Sequence, residues 1–351
     1  MKKRLIALLC AVSAMAVLVT GCATVRINII GVPASKQDQV ENEADDEELV
    51  KEDDVTIRVG GLKGPTSIGL LGLKADAANG KTVQDYDFVM ATAADEITTA
   101  LVKGELDIAL IPANVSSVLY NKTEGKISVI DINTLGVLYM VSGDSDIDDV
   151  ADLKDKTIYL TGKGTTPDYV LQYILSENDM TGDVTLEYKS EATEVAAILA
   201  QDDTAKGLLP QPFVTAACMQ NDKLSVVIDM TEEWDKLQSE GGSRLVTGVT
   251  VVRNEFLSEH EEAVKTFIQE HAASVEKVNE DIEGSALLAV TEGIIAKEPI
   301  AMKAIPNCNI VCITGDEMKE ALSGYLGVLY GLDPKSVGGK LPDEGFYYKA
   351  Q

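Results

Sequence analysis

Alternating hydrophobic and polar positions predict a series of β-strands and α-helices that begins at residue 55. Each short strand-like segment is followed by a longer segment with apolar residues at helical spacing. The predicted strands are 55–59, 86–91, 107–111, 127–133 and 135–141, and the predicted helices between the first four are 66–78, 93–103 and 113–120. This alternation is typical of α/β layers with a largely parallel sheet.

A second stretch, residues 155–230, repeats this plan. Its predicted strands are 157–160, 184–188 and 206–209, and its predicted helices are 163–176, 192–200 and 210–220. Two short sequences recur as well: KGPT at 63–66 corresponds to KGTT at 163–166, and ALIP at 109–112 to GLLP at 207–210. The nearly constant offset predicts two similar lobes, although any two α/β units share features of this kind.

The remaining pattern returns the chain to the first lobe. A strand is predicted at 245–252, followed by helices at 258–280, 285–295 and 316–330. The chain then crosses between the lobes near 140–145 and near 240–247, and these crossings are the expected hinge. We therefore predict a first lobe of residues 55–142 plus 247–351 and a second lobe of 143–246, each a mostly parallel sheet flanked by helices.

The beginning of the chain has the layout of a secretory signal. Three basic residues, 2–4, precede an almost wholly apolar run at 5–19, which is too short to span a membrane comfortably. The run ends in Val19-Thr20-Gly21-Cys22, which resembles a bacterial lipobox. We expect residues 1–21 to be a signal peptide and Cys22 to carry lipid that anchors the protein. The alternative is an unlipidated signal peptide with an incidental cysteine.

Residues 22–54 are predicted to be an acidic tether. Between 38 and 54 the chain holds ten acidic residues and one lysine, so this block repels itself and lacks apolar residues for a core. The whole chain of 351 residues has 30 Lys and Arg against 57 Asp and Glu, a formal net charge of −27. Such a surface repels phosphate backbones, which excludes nucleic acid as an expected partner.

The loops that enter predicted helices offer candidate ligand contacts. Residues 64–67 place a glycine, backbone N–H groups and two hydroxyls at one helix start, and 164–166 place a similar set in the second lobe. Simple N-capping is the alternative role for these hydroxyls. The nucleotide-binding glycine loops, the nucleophile elbow and the zinc-protease motif are absent from the sequence. These observations favour a binding protein over an enzyme.

The residues most often used in catalysis are few. We expect His260 and His271 to lie on the surface of one polar helix, and Trp234 to be a packing residue. The cysteines that remain after a signal peptide, at 218, 308 and 312, are expected to be structural, with a 308–312 disulfide as the alternative. The sequence predicts neither a metal site nor a cofactor.

Three segments carry a resemblance to a known family. Residues 59–69 (VGGLKGPTSIG), 104–114 (GELDIALIPAN) and 133–139 (NTLGVLY) resemble the substrate-binding lipoproteins of ABC importers. The group they are most similar to is the nitrate, taurine, sulfonate and thiamine-precursor type. The resemblance covers residues 55–350 and implies a two-lobed, type II periplasmic-binding-protein-like fold.

The resemblance also implies which residues contact the solute. They lie in loops at the ends of strands: Gly64, Pro65, Thr66, Ser67, Thr92, Pro112, Ala113, Asn114, Thr134, Leu135, Gly164, Thr165, Thr166 and Gln211. The implied ligand is a small anionic or polar solute held between the lobes. Whether it is a sulfonate, another oxyanion or a thiamine precursor stays open.

The implied partners are an ABC permease with its ATPase. A monomer is expected at the extracytoplasmic face of the cell membrane, attached through its lipid alone. Two other functions are considered: a sensory or scaffolding lipoprotein on the same fold, and an enzyme like the pyrimidine synthases. The enzyme is disfavoured because the active-site histidine and cysteine-rich loop of those synthases have no counterpart in this sequence.

Overall fold

The computed structural model of the chain describes residues 51–238 and 242–349. The expected signal peptide (1–21), the lipidated Cys22 and most of the acidic tether lie outside the described residues. Within the described ranges, none of the helices combines the length and the apolar character that crossing a bilayer requires.

Six strands form the first sheet, in the order β11-β4-β10-β3-β1-β2. Their bounds are β1 Thr56–Leu62, β2 Asp85–Ala91, β3 Ile108–Pro112, β4 Ile127–Thr134, β10 Gly248–Arg253 and β11 Ile310–Ile313. β4 is buried along its whole length, as is expected for a central strand covered on both faces. β10 runs antiparallel to β3 and β4, whereas β1, β2 and β3 are mutually parallel.

Five strands form the second sheet, in the order β7-β6-β8-β5-β9. Their bounds are β5 Leu138–Ser142, β6 Thr157–Thr161, β7 Thr185–Lys189, β8 Lys206–Pro210 and β9 Ser225–Asp229. Here β5 is the antiparallel strand, between β8 and β9. The second sheet thus repeats the strand order of the first, with a returning strand inserted at the same place, as the sequence repeat predicts.

Helices cover both sheets. Their bounds are α1 Leu71–Ala78, α2 Ala94–Val102, α3 Ala113–Lys122, α4 Thr166–Glu177, α5 Ala192–Gln201, α6 Phe213–Gln220, α7 Met230–Lys236, α8 Asn254–Glu259, α9 Glu261–Glu280, α10 Ile282–Thr291, α11 Glu298–Ala304 and α12 Gly315–Leu332. We call the first sheet with its helices the first lobe and the second sheet with its helices the second lobe. One apolar cluster contains residues of both lobes, including Leu135, Met140, Trp234 and Tyr325.

The structure differs from the pattern-based expectation in several places, and it contains β9, α7 and β11, which the pattern does not predict. The strand expected at 135–141 is β5, which begins at Leu138 and pairs in the second sheet, so the first crossing is residues 135–137. Periodicity misplaces this boundary because residues 127–142 are all buried and show no regular alternation, and Gly136 alone does not distinguish a crossing from a glycine within a strand. The helix expected at 258–280 is two helices, α8 and α9, which meet at His260.

The end of the acidic segment belongs to the fold. Gln84, which is fully buried, accepts a hydrogen bond from the Glu52 amide (3.1 Å) and donates one to the Glu52 carbonyl (3.1 Å). The Glu52 carboxylate lies 2.6 Å from Nδ1 of His260. The expected tether therefore does not extend to residue 54 as a wholly solvated spacer.

Candidate functional site

The carboxyl-terminal ends of the parallel strands lie beside both crossings. In the first sheet Leu62 pairs with Ala91, and Gly248 pairs with both Pro112 and Thr134, so the ends of β1 to β4 share one edge. In the second sheet Leu138 pairs with Pro210 at the corresponding edge. Because the 135–137 crossing joins these two edges, it marks the interlobe junction. Open α/β sheets bind ligands at such edges.

A compact group of polar residues lies on the first-lobe side of this junction. Thr66, which is 6% exposed, lies against Gly248 and Asn133: a Cβ at Gly248 would be 2.4 Å from Asn133 Oδ1 and 2.5 Å from Thr66 Cγ2. Thr134 Oγ1 donates to Asn133 Oδ1 at 3.0 Å. Glycine at 248 is therefore what lets these side chains meet. We call Thr66, Asn133, Thr134 and Gly248 the first-lobe patch.

Backbone hydrogen bonds bring further predicted residues to this patch. The Ala113 amide donates to the Thr247 carbonyl at 3.0 Å, and the Thr247 amide donates to the Thr134 carbonyl at 3.0 Å. Pro112 pairs with Gly248, and the Leu135 amide donates to the Asn309 carbonyl. Asn114 differs, because its side chain donates to the Ser336 carbonyl, at 3.5 Å, in a loop that follows α12.

The loop after β1 is held mainly by its own hydrogen bonds. The Gly64 amide donates to the Leu62 carbonyl, and the Ser67 amide donates to the Gly64 carbonyl. Pro65 begins a 3-10 helix, Pro65–Leu70. A helix therefore starts where one is predicted, but its first turns are of the tighter 3-10 type and not α-helical. Thr92 follows Ala91, whose carbonyl accepts from the Lys63 amide, so it lies beside this loop.

In the second lobe, a buried carboxylate accepts a backbone hydrogen bond from the loop that enters α4. Asp168 is 3% exposed, and it accepts hydrogen bonds from the Gly164 amide (2.7 Å), Gln172 Nε2 (2.6 Å) and the Tyr188 hydroxyl (2.7 Å). Burial and this bond to Asp168 raise the pKa of Tyr188. The Gly164 amide, expected to be free for a ligand, is therefore already paired.

The hydroxyls of the same loop have different surroundings. Thr165 is exposed, and its Oγ1 donates to the Gly162 carbonyl at 2.5 Å. Thr166 Oγ1 instead lies 3.4 Å from the Tyr325 hydroxyl on α12. Thr166 thus faces an element that packs on the first lobe, as a residue between two lobes must.

Gln211 lies at the junction but is oriented away from the first-lobe patch. Its amide donates to the Val137 carbonyl of the crossing at 2.9 Å, whereas its Oε1 accepts from Thr215 Oγ1 at 2.8 Å. The side chain lines a groove of about 300 Å³, together with Tyr139 and Asn307 among others. A larger cavity of about 670 Å³ lies at the opposite edge of the first sheet, where β4 begins and β10 ends, remote from the predicted residues.

Sequence reasoning missed several polar groups at the junction. Thr231 Oγ1 is buried without a hydrogen-bond partner in the described structure, and a Cβ on Gly136 of the crossing would lie 2.1 Å from it. Ser243 Oγ is likewise buried and unpartnered, and so is the hydroxyl of Ser67, which the sequence does predict as a solute contact. Unpartnered buried hydroxyls are rare, because each costs about 1–3 kcal/mol. No local pattern marks Thr231, since its neighbour Gly136 is far away in the sequence.

The histidine and cysteine expectations are corrected in part. His271 is fully buried rather than on the surface, with Nδ1 3.2 Å from Asp131 Oδ2, because its face of α9 packs on the first sheet. His260 is partly exposed.

Cys308 and Cys312 are free thiols, so the alternative disulfide does not form. Burial raises the pKa of Cys308 to about 12, and burial with the Asp131 carboxylate raises the pKa of Cys312.

Comparison with known proteins agrees with this geometry. A family model described as ABC transporter, phosphonate, periplasmic substrate-binding protein matches residues 78–290, more than half of the chain. No curated protein matches the sequence.

Solved structures share the fold over most of their length. An ABC transporter structure from Parabacteroides distasonis has a TM-score of 0.71 and 26% identity, over 85% of this chain and 100% of that chain. The periplasmic aliphatic sulphonate binding protein of Escherichia coli has a TM-score of 0.66 and 16% identity, over 84% and 92%. A Candida albicans protein described as having the generic periplasmic binding protein fold has a TM-score of 0.52 and 13% identity, over 83% and 93%.

The family model describes substrate-binding proteins and not enzymes, which confirms the family type and the non-enzymatic role expected from the sequence, and the solved structures confirm the fold class. The repeated strand order, with strand ends beside the crossings, is compatible with such a role, since open α/β sheets bind ligands at strand ends of this kind. The chain belongs to the family of phosphonate-type periplasmic substrate-binding proteins of ABC transporters, and it acts as the extracytoplasmic binding component of an import system.

Proposed function

We propose that the chain captures a small anionic or polar solute at the interlobe junction and delivers it to an ABC permease driven by its ATPase. The observation that carries this proposal is the shared edge on which Thr66, Ala113, Thr134 and Gly248 meet beside the crossing. Thr165 and Thr166 would complete the site from the second lobe, whereas Gln211 would have to turn its side chain away from Thr215 to join them.

The charges near the junction favour an anionic group held from the first lobe. Lys63 and Lys163 are exposed and follow β1 and β6, so both attract anions to an otherwise acidic protein. Asp168 already occupies the start of α4, so a second anion would be repelled there. Phosphonates and sulfonates, the ligand classes named for the family and for one structural neighbour, are therefore the first solutes to test.

A thermal-shift screen with Thr66→Ala and Thr165→Ala tests the site. Phosphonates, sulfonates, other oxyanions and thiamine precursors are added to the wild type and both variants. A solute that binds only the folded state raises stability by about 2.7 kcal/mol at a hundredfold excess over its Kd. Each variant should reduce that gain by about 1 kcal/mol, since one hydrogen bond is lost.

The matched control is Thr99→Ala, which alters an exposed threonine on α2. This helix ends beside the cavity at the opposite edge of the sheet, so the control should respond to solute like the wild type. A genuine ligand whose shift is equal in all four proteins would place the binding site elsewhere.

We further propose that the protein is a monomer held at the membrane by lipid on Cys22. The support is the lipobox-like sequence at 19–22, after an apolar run. Cys22→Ser should move the protein from the detergent-extracted membrane fraction to the soluble fraction, measured by immunoblot. Retention of the variant in the membrane fraction would rule out this anchor.

A further inference from the structure

Three side chains of different chemistry converge in the first lobe, and none of them belongs to the first-lobe patch. Asp131 on β4, His271 on α9 and Cys312 on β11 place one oxygen, one nitrogen and one sulfur atom within 4.8 Å of one another. Asp131 and His271 are fully buried, and Cys312 is a partly buried free thiol. The group joins residues up to 181 positions apart in the sequence, so only the fold brings it together.

The local structure fixes each of these side chains. β11 pairs with β4 at Ile310 and Ile313, and the register is irregular between them, where Cys312 lies. Such irregularities redirect side chains. The His271 ring stacks on Phe267, with centroids 5.5 Å apart, and a Cβ at Gly69 would lie 3.2 Å from its Nε2.

We propose that Asp131, His271 and Cys312 bind one zinc-like divalent cation. A carboxylate, an imidazole and a thiolate are the ligand types that zinc prefers, and three protein ligands leave one position for water. Tetrahedral bonds of roughly 2.0–2.3 Å separate ligand atoms by roughly 3.3–3.7 Å. The 3.2 Å between His271 Nδ1 and Asp131 Oδ2 is close to that separation.

Charge balance makes the buried position suitable for a divalent cation. The Cys312 thiol loses its proton to solvent when the S–metal bond forms, so the thiolate and the Asp131 carboxylate together neutralise two positive charges. The occupied site therefore carries no net charge in the interior, where an unbalanced charge is costly.

Neighbouring hydrogen bonds hold the carboxylate for this role. Thr250 Oγ1 donates to Asp131 Oδ1 at 2.7 Å and is in turn 3.2 Å from Asn133 Nδ2. Such outer hydrogen bonds orient metal ligands. Since Asn133 also belongs to the first-lobe patch, the cation site lies directly behind the proposed solute contacts, although it does not depend on them.

Cobalt titration of the whole chain tests the proposal. The protein is reduced, treated with a chelator and titrated with Co²⁺, because thiolate ligation gives a charge-transfer absorption band that water or carboxylate ligation does not. We expect one equivalent of Co²⁺ to produce this band, and Zn²⁺ to displace it and raise the Tm. Cys312→Ser should lose the band and the Tm increase.

The matched control is Cys308→Ser, four residues away, whose thiol donates to the Ala304 carbonyl and faces no metal ligand of this group. It should keep the band at the same stoichiometry. Asp131→Asn, which keeps an acceptor for Thr250, should weaken Co²⁺ binding without removing the fold. A wild type without the band, or a Cys312→Ser variant with the wild-type spectrum, overturns the proposal.

Discussion

Asp107 shows how one buried carboxylate ties together the amino-terminal side of the first sheet. Its side chain is 1% exposed and accepts hydrogen bonds from Arg58 Nε (2.8 Å), the Arg58 amide (3.0 Å) and Arg253 Nη2 (3.0 Å). Burial alone would raise the pKa of Asp107, but the hydrogen bonds from the two arginines outweigh it and hold the pKa below its ordinary value.

We predict that Asp107→Asn lowers the free energy of unfolding at pH 7 by about 3 kcal/mol, because it leaves two arginines facing a neutral group. In the wild type, a depressed carboxylate pKa stabilises the fold above the unfolded value of about 3.9, and this stability is lost as pH falls through the lower folded pKa. Urea unfolding should therefore show a steeper loss of stability below about pH 4 in the wild type than in the variant.

The matched control for this prediction is Asp316→Asn. Asp316 also has a lowered pKa, caused first by its bond to Lys349, but its side chain is 87% exposed. Exposed pairs contribute little to stability, so this variant should unfold almost like the wild type. Equal losses in both aspartate variants would contradict the importance given to burial.

At the scale of elements, two of the glycines in α12 have opposite surroundings. A Cβ at Gly324 would lie 2.6 Å from Ser243 Cβ and 2.8 Å from Ser243 Cα, so the second crossing packs directly on this position. A Cβ at Gly327, three residues later, would meet nothing within 4 Å. The first glycine permits a close approach, whereas the second only weakens the helix.

We predict opposite effects for the two alanine substitutions. Gly324→Ala should cost about 1–3 kcal/mol, because the Ser243 backbone must move. Gly327→Ala should add about 0.5–1 kcal/mol, because alanine restricts the unfolded chain and favours the helix. Urea midpoints measured side by side check this, and a change of the same sign in both variants would contradict the packing at Ser243.

The elements that the sequence predicts correctly are those whose signals are local. The strands and loops at 63–66 and 163–166 follow from alternation and glycine placement, and both lobes contain them. The 135–137 crossing is hard to locate from the sequence, because its residues are as buried as the strands on either side and a single glycine such as Gly136 also occurs within strands. β11 was missed because it is only four residues long and lies at an edge.

The residues of the candidate site are likewise predictable only where their signals are local in the sequence. Thr66 and Thr134 lie in loops in which the family resemblance implies solute contacts, and the fold brings both residues to one edge of the first sheet. Asp168 could not be predicted as the partner of the Gly164 amide, since an aspartate in a first helical turn is common and its burial depends on Tyr188. His271 looked like a residue of a polar helix because its partner, Asp131, is 140 positions away.

At the scale of the whole molecule, α12 joins the two lobes beside the junction. It packs on β4 of the first lobe and on α4 of the second. Tyr325 of this helix lies against Trp234 of α7, with ring centroids 5.6 Å apart, and Tyr169 of α4 donates to Asp333 beyond the end of α12 at 3.0 Å. Separation of the lobes would break these contacts.

Trp234 is the only tryptophan of the chain, and it is fully buried at this contact, as its expected packing role requires. Its fluorescence should therefore report whether solute binding brings the lobes together. The junction in this structure already excludes water from the indole. We predict that the solute-free protein opens at this junction and exposes Trp234, so a solute that raises the Tm should shift its emission to the blue and protect it from a soluble quencher. Hinge motion of this kind is common in two-lobed binding proteins.

The matched pair for this measurement lies on α12 itself. Tyr325→Ala removes the ring that covers Trp234, so the solute-free and solute-bound spectra should converge, whereas Tyr330→Ala, at a partly exposed position of the same helix, should leave the blue shift intact. A solute that stabilises the wild type while its Trp234 emission and quenching stay constant would show that the lobes keep one arrangement. Binding would then depend on a junction already closed, and the two crossings would act as rigid connections instead of hinges.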